Sequence, residues 1–414
     1  MVRFALMLIC SLCLFIFSLR AQDAPPQGLM AAPRPLKVWI PAPLIADESS
    51  EVFQLLREHT QVFSSRNNLA VEYRIKDVGT IGGIMSTIRS GSEVAPGALP
   101  DITLIRRRDL TPAHARQYLQ SMETLFSSSL INELGSALEF GQIPLEDGVA
   151  LYGLPYFFEV LHTVHTRPLS NADKRLSFED VLANQASLLF PAGRTNGLNQ
   201  TFYLQYLAAG GLAPDNGDMS IDEAALRSIL GFYEQLVDQD LITPDVLTYQ
   251  STAAYQTDFI NHADQLLLAV FSSSEYLSML EQQDPNLLAA GIPTANGASI
   301  STRDGWLWVI VTPDLTRRTL SARYLEWLMQ PDFHARFAMA LYQLPSQQAI
   351  LGDSLPDGVD DRFIAELLDN AILPIPESEG GTAPRLMQEA LMQVLHGDTA
   401  ATAARQALDQ FAER

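Results

Sequence analysis

Short β-rich runs and amphipathic helical periods alternate from Leu36 to Leu119, and that alternation leaves few folds open to the chain. Leu36-Lys37-Val38-Trp39-Ile40 is stopped by Pro41 and Pro43. A helical period follows from about Asp47 to Phe63, with Val52, Leu55, Leu56 and Val62 on one side. Leu69 to Val78 alternates as a strand, and Gly79 to Arg89 returns to helical spacing. Leu99 to Ile105 reads as a third strand and Leu110 to Leu119 as a third helix. Strands alternating with helices in this way predict βαβ units and a parallel α/β sheet. Ligands of such sheets sit beyond the carboxyl ends of the strands. The loops Pro41 to Ser49, Val78 to Gly83 and Arg106 to Asp109 are therefore the ones expected to matter.

The middle of the chain reads as a second α/β unit. Val149 to Val164 is apolar and aromatic, as expected of strands leaving a first lobe, and Leu188 to Phe190 is a short strand ended by Pro191. Helices are expected at about Asn199 to Ala209, Ile221 to Gln239 and Ala253 to His262, the second opened by a capping box of Ser220 with Glu223. Gln265 to Phe271 and Asp304 to Val311 are buried-type strands. The last third is helical: Leu320, Tyr324 and Leu328 recur up to Pro331, where the helix must break, and Phe333, Phe337 and Leu341 restart the period.

Charge and cysteine content narrow the function. Of 414 residues, 48 are acidic against 27 Lys plus Arg, a formal net charge of −21. Such a surface repels phosphate backbones and anionic headgroups, so nucleic acid is excluded as a partner. Both cysteines, Cys10 and Cys13, lie in the apolar run Phe4 to Leu19, which follows Arg3 and precedes Arg20-Ala21-Gln22. That pattern predicts a secretory signal peptide over residues 1–21, cut after Ala21. As a helix the run reaches about 24 Å, short of the roughly 30 Å hydrocarbon core. An uncleaved anchor is the alternative. Ile9 and Leu12 precede the cysteines, so the small residue of a lipoprotein signal is missing. Residues 22–35 are rich in Pro and Ala and read as a disordered tether. The exported chain then has no thiol, and cysteine metal sites and thiol catalysis drop out.

Catalytic strings are missing: no H-E-x-x-H, G-x-S-x-G, S-x-x-K or Walker loop occurs. His162 and His165 point to opposite faces of a strand and cannot share a metal ion. Gly79-Thr80-Ile81-Gly82-Gly83 has the outline of a phosphate loop but lacks its Lys-Ser/Thr ending, which favours a tight turn. Asp215-Asn216-Gly217-Asp218 lacks the distal Glu of a calcium loop and reads as a surface turn. Neither cofactor nor metal is expected.

Other groups suit a small polar ligand. Arg106-Arg107-Arg108 follows the third strand, where one arginine, Arg106 or Arg108 among them, reaches a cleft if the run is not merely a solvated loop. Aromatics cluster at Tyr152 to Phe158, at Phe202, Tyr203 and Tyr206, at Tyr276, and at Trp306 with Trp308. Sugars stack their C–H faces on such rings and need carboxylates and amides beside them, which Glu159, Asn199 and Gln200 can supply.

The order of several strings carries a resemblance. Tyr152-Gly153-Leu154-Pro155-Tyr156-Phe157-Phe158-Glu159-Val160 is followed by Phe190-Pro191-Ala192-Gly193, Ala208-Ala209-Gly210-Gly211 and Gly291-Ile292-Pro293-Thr294. Tyr324-Leu325-Glu326-Trp327-Leu328-Met329-Gln330-Pro331 then leads to Leu344-Pro345-Ser346. In this order and spacing the chain from about residue 36 resembles the extracellular solute-binding proteins of family 1, the maltose-binding-protein-like class serving ABC importers. The resemblance implies a two-lobed periplasmic-binding-protein-like (type II) fold, each lobe a central sheet flanked by helices, closing like a hinge on a solute. It implies lobe one over 36–152 plus 304–330 and lobe two over 153–303 plus 331–414. It places Glu159 as a cleft carboxylate just past the first crossing and Tyr276 as the stacking aromatic of lobe two. Arg106 to Arg108 stand where the family presents ligand-binding polar groups, a departure that puts maltodextrin specificity in doubt.

The expectation is an exported, monomeric, non-enzymatic binding protein that captures a small solute, most readily a carbohydrate, and delivers it to an ABC permease. Polyols, sugar phosphates and peptides remain open as solutes. A secreted hydrolase with paired carboxylates and a solute sensor of the same fold are the rival readings.

Overall fold

The computed structural model describes residues 34–413 apart from 146–147, 171–173, 194–196, 215–218, 263–264 and 375–380. The expected signal segment, most of the tether and the Asp215 to Asp218 turn lie outside the described residues.

In chain order the first lobe is laid down by β1 (Leu36–Pro41), α1 (Glu51–Asn67), β2 (Val71–Lys76), α2 (Ile84–Val94), β3 (Ile102–Arg106), α3 (Pro112–Tyr118), α4 (Ser128–Leu134) and the hairpin β4 (Gln142–Leu145) and β5 (Gly148–Leu151). A long strand, β6 (Leu154–His165), leaves it. Next come α5 (Phe178–Ala183), β7 (Ser187–Leu189), α6 (Gln200–Ala208), α7 (Glu223–Asp238), α8 (Gln256–Asn261), β8 (Leu267–Ser272), α9 (Ser273–Gln282) and β9 (Leu288–Ala290). The chain returns through β10 (Ser301–Ile310), α10 (Leu315–Leu328), α11 (Pro331–Ala340) and β11 (Leu344–Pro345). It ends with α12 (Asp361–Asp369), β12 (Ala371–Ile372), α13 (Thr382–Leu395) and α14 (Ala400–Ala412).

Among the described residues one sheet runs β2-β1-β3-β10-β6-β8-β7, and the alternation read from the sequence appears as the parallel pairs β1–β2 and β1–β3. β6 and β10 are antiparallel neighbours shared by both lobes. Residues 154–160 of β6 lie beside β10 in lobe one, and residues 161–165 lie beside β8 in lobe two, with β9 on the other side of 163–165. A third passage follows β11. Ser346 is held by Tyr156 and Pro155 of lobe one, whereas Asp360 pairs with Lys174 of lobe two at 2.5 Å. The chain therefore crosses between the lobes three times, at β6, at β10 and within 347–359.

Two details differ from expectation. α11, placed by the resemblance at the start of the return to lobe two, packs on lobe one. Phe333 stacks on His59 of α1 at 3.8 Å and His334 on Tyr156 at 4.6 Å. The proline at its first position restarts the helix without turning it away, since the missing N–H is one that a first turn leaves unused. At α7 the cap is Asp222, which accepts from the Ala225 N–H, and not Ser220. The Ser220 carbonyl accepts from the Tyr206 hydroxyl instead.

Candidate functional site at the hinge

The register of the crossing strands fixes where a cleft must lie. Arg106, the last residue of β3, is opposite Trp306, which is opposite Phe157; Ser272, the last residue of β8, is opposite Leu161. β3 points toward lobe two and β8 toward lobe one. The carboxyl ends of both lobes' strands thus converge on the same short stretch of β6. This is the edge at which open α/β sheets hold ligands, and here two such edges face each other.

Three charged side chains meet at that line. Glu159 of β6 and Asp304 of β10 are register partners, so two carboxylates stand directly opposite on adjacent strands. Arg106 lies between them, with Nη1 3.0 Å from Glu159 Oε2 and 3.9 Å from Asp304 Oδ2. Its guanidinium sits 4.2 Å over the Trp306 ring. The side chains remain partly open to solvent, 21% for Arg106, 13% for Glu159 and 29% for Asp304. Burial works against the Arg106 charge, but Glu159 and Asp304 raise its pKa overall. For Asp304, burial raises the carboxyl pKa, Arg106 pulls it back and Glu159 pushes it up again.

Of the three arginines, Arg106 is the one that reaches this floor. Arg107 turns aside to donate from Nη1 to the Leu110 carbonyl at 3.0 Å, and Arg108 is exposed. The loops singled out in lobe one also come together. An open cavity of about 200 Å³ lies between the β2–α2 turn, β3 and α3, with Gly79, Thr80, Arg89, Asp109 and His114 among its lining. Burial raises the Asp109 carboxyl pKa, against the pull of Arg108 and His114. From lobe two, Ser272 caps α9 in a reciprocal box with Glu275, and Ser273 Oγ accepts from the Val160 N–H at 3.2 Å, fastening this helix to the crossing strand.

The aromatic and amide candidates lie elsewhere. Trp306 and Trp308 are 0% and 1% exposed, so neither offers a ring face to solvent. β10 is a central strand covered on both sides, where alternation no longer separates an inner from an outer face. Tyr276 is buried, its hydroxyl directed to the Leu287 carbonyl and its ring against His162 at 5.1 Å. Phe202 is in the lobe-two core, and Asn199 is the buried cap of α6, accepting from the Phe202 N–H at 2.9 Å and donating to Gln388. Gln200, in the first turn of α6, is half-buried. The structure thus brings together Arg106 and Glu159, with Trp306 beneath. Asp304 was missed, because only the strand register reveals that it faces Glu159.

Two lobes on one sheet, three crossings and converging strand ends define the fold of the two-lobed, maltose-binding-type solute-binding proteins. Solved structures with this fold include maltose-bound MalE of Listeria monocytogenes (13% identity, TM-score 0.65, 90% of this chain and 96% of that one). The sugar-binding protein MalE of Xanthomonas citri gives 15% identity and a TM-score of 0.65 over 91% and 96%. The GacH receptor of Streptomyces glaucescens, solved unliganded and with acarbose, gives 14% and 0.62 over 92% and 98%. No family model matches the sequence, and no curated protein does.

Proposed function

We propose that the protein is an exported, non-enzymatic solute-binding protein of an ABC importer, capturing a small carbohydrate between its lobes and presenting the closed form to a membrane permease. The observation that carries this reading is the convergence of both lobes' strand carboxyl ends on a partly open Arg106–Glu159–Asp304 floor. Carboxylate and guanidinium groups side by side accept from and donate to hydroxyls, as a polyhydroxylated solute requires. The floor groups come from β3 and both crossing strands, so a solute resting on them touches the segments that bend. Its extra affinity for the closed arrangement is what drives closure. The solved neighbours that carry maltose or acarbose support a sugar as the solute. Among the described residues no helix is long and apolar enough to cross a membrane.

A thermal-shift screen against mono- and disaccharides, polyols, sugar phosphates and amino acids tests the reading. A solute at 100 times its Kd adds about 2.7 kcal/mol. Glu159→Gln should weaken a sugar hit by roughly 1–3 kcal/mol, as expected when a charged hydrogen-bond acceptor is lost. Conversion of the hit to product would refute the binding-protein reading, and a hit indifferent to Glu159→Gln would move the site away from the floor.

A further inference from the structure

Three consecutive arginines at the end of β3 would by themselves suit a phosphate or a carboxylate. The structure shows where their charge goes. Arg106 is turned to Glu159, with Nη1 3.0 Å from Oε2. Arg107 donates to the Leu110 carbonyl and lays its guanidinium 6.0 Å over the Phe140 ring. Arg108 is exposed beside Asp109. Burial raises the Asp109 carboxyl pKa, and Arg108 is the foremost charge pulling it back. The three cations therefore stand among three carboxylates, Asp109, Glu159 and Asp304.

The group left over on the floor is a carboxylate. Asp304 is the most open of its three side chains, 29% against 21% for Arg106 and 13% for Glu159. Its Oδ1 accepts from the Gly305 N–H at 2.8 Å. Its Oδ2 is 3.9 Å from Arg106 Nη1, too far for a hydrogen bond, and among the described residues no side chain donates one to it. Asp304 stands on a crossing strand where the strand ends of both lobes converge, so a solute between the lobes meets it before the more covered Glu159. A carboxylate oxygen with no donor of its own accepts from a hydroxyl and repels a second anion.

We propose that Asp304 sets the charge class of the solute: it receives a hydroxyl-bearing edge of an uncharged sugar and turns away the sugar phosphates and sugar acids that the arginine run alone would attract. This rests on the reading of the hinge as a sugar cleft and adds to it the residue that discriminates.

The test uses the full chain near neutral pH as wild type, Asp304→Asn and Asp409→Asn. The last removes one charge from an exposed position on α14 and controls for net charge. Crystals soaked in sodium tungstate, a phosphate-like anion, are expected to show an anomalous peak within ion-pair distance of Arg106 in Asp304→Asn alone. Maltose and its carboxylate counterpart maltobionate are titrated by calorimetry in parallel. The preference for maltose over maltobionate should fall about tenfold or more in Asp304→Asn and stay unchanged in Asp409→Asn. Asp304→Ala, which removes the same charge without supplying an amide, repeats both measurements. Tungstate on Arg106 in the wild type, no peak there in either Asp304 variant, or an equal gain in Asp409→Asn would each overturn the proposal. A cleft that ignores maltose and every other neutral sugar overturns the sugar reading instead, and the tungstate result still decides the role of Asp304.

Discussion

Arg106 neutralises a repulsion that the strand register builds in. Like charges directly opposite on neighbouring strands destabilise a sheet, and Glu159 and Asp304 are so placed with Arg106 between them. Arg106→Gln removes the only cation within ion-pair distance of either carboxylate among the described residues, and the Asp304 carboxyl pKa, already raised by burial and held back by Arg106, must then rise further. The native state would hold a proton on Asp304 that the unfolded chain releases near pH 4. Stability of the variant should therefore fall as pH rises through the native Asp304 pKa and be regained below it. Urea unfolding is expected to show a deficit of roughly 1–3 kcal/mol at pH 7, intermediate between exposed and buried pairs. The deficit should shrink steadily toward pH 4. A deficit independent of pH would mean that Arg106 acts through its stacking on Trp306 and not through its charge.

At the scale of elements, the crossing strands depend on one glycine. Gly305 holds φ +149, and a Cβ there would come within 2.0 Å of the Phe157 carbonyl oxygen. It also precedes the irregular step in β10–β6 pairing at Trp306/Leu307, where the strand bends. Gly305→Ala forces strain and a parting of the two strands, with an expected cost of roughly 1–3 kcal/mol or more by chemical denaturation. Unchanged stability would show that the bend is not set at this residue. The sequence showed the strand but not its role. Amphipathic helices such as α1 and short strands such as β1 are legible because their periodicity reports one buried face. β6 and β10 are buried on both faces, so Trp306 and Trp308 look the same from sequence whether they line a cleft or a core. The Arg106–Glu159 contact could be suspected from order along the chain, whereas Asp304 joins them only through register. The capping residue of α7 and the attachment of α11 to lobe one likewise depend on partners distant in sequence.

For the whole molecule, the question is whether two lobes make two folding units. The lobe-two core of α6, α7, α13 and α14, with Tyr233, Leu391 and Ala403 at its centre, is distinct. The other core does not stop at the hinge. It runs from Ile40 and Leu104 in lobe one through Phe157 and Trp306 to Phe271, Tyr276 and Phe363 on the α9–α12 face of lobe two. Lobe one thus cannot unfold without exposing apolar surface that lobe two uses, and one sheet with two shared strands joins them in the backbone as well. Lobes with private cores would melt separately; a shared core couples them. Calorimetry should give a single transition with a calorimetric to van't Hoff enthalpy ratio near one, the two-state signature. Two resolved transitions would show that the lobe-two core is stable without the shared one. The hinge would then be a linker between independent domains, and not a bend within one cooperative unit.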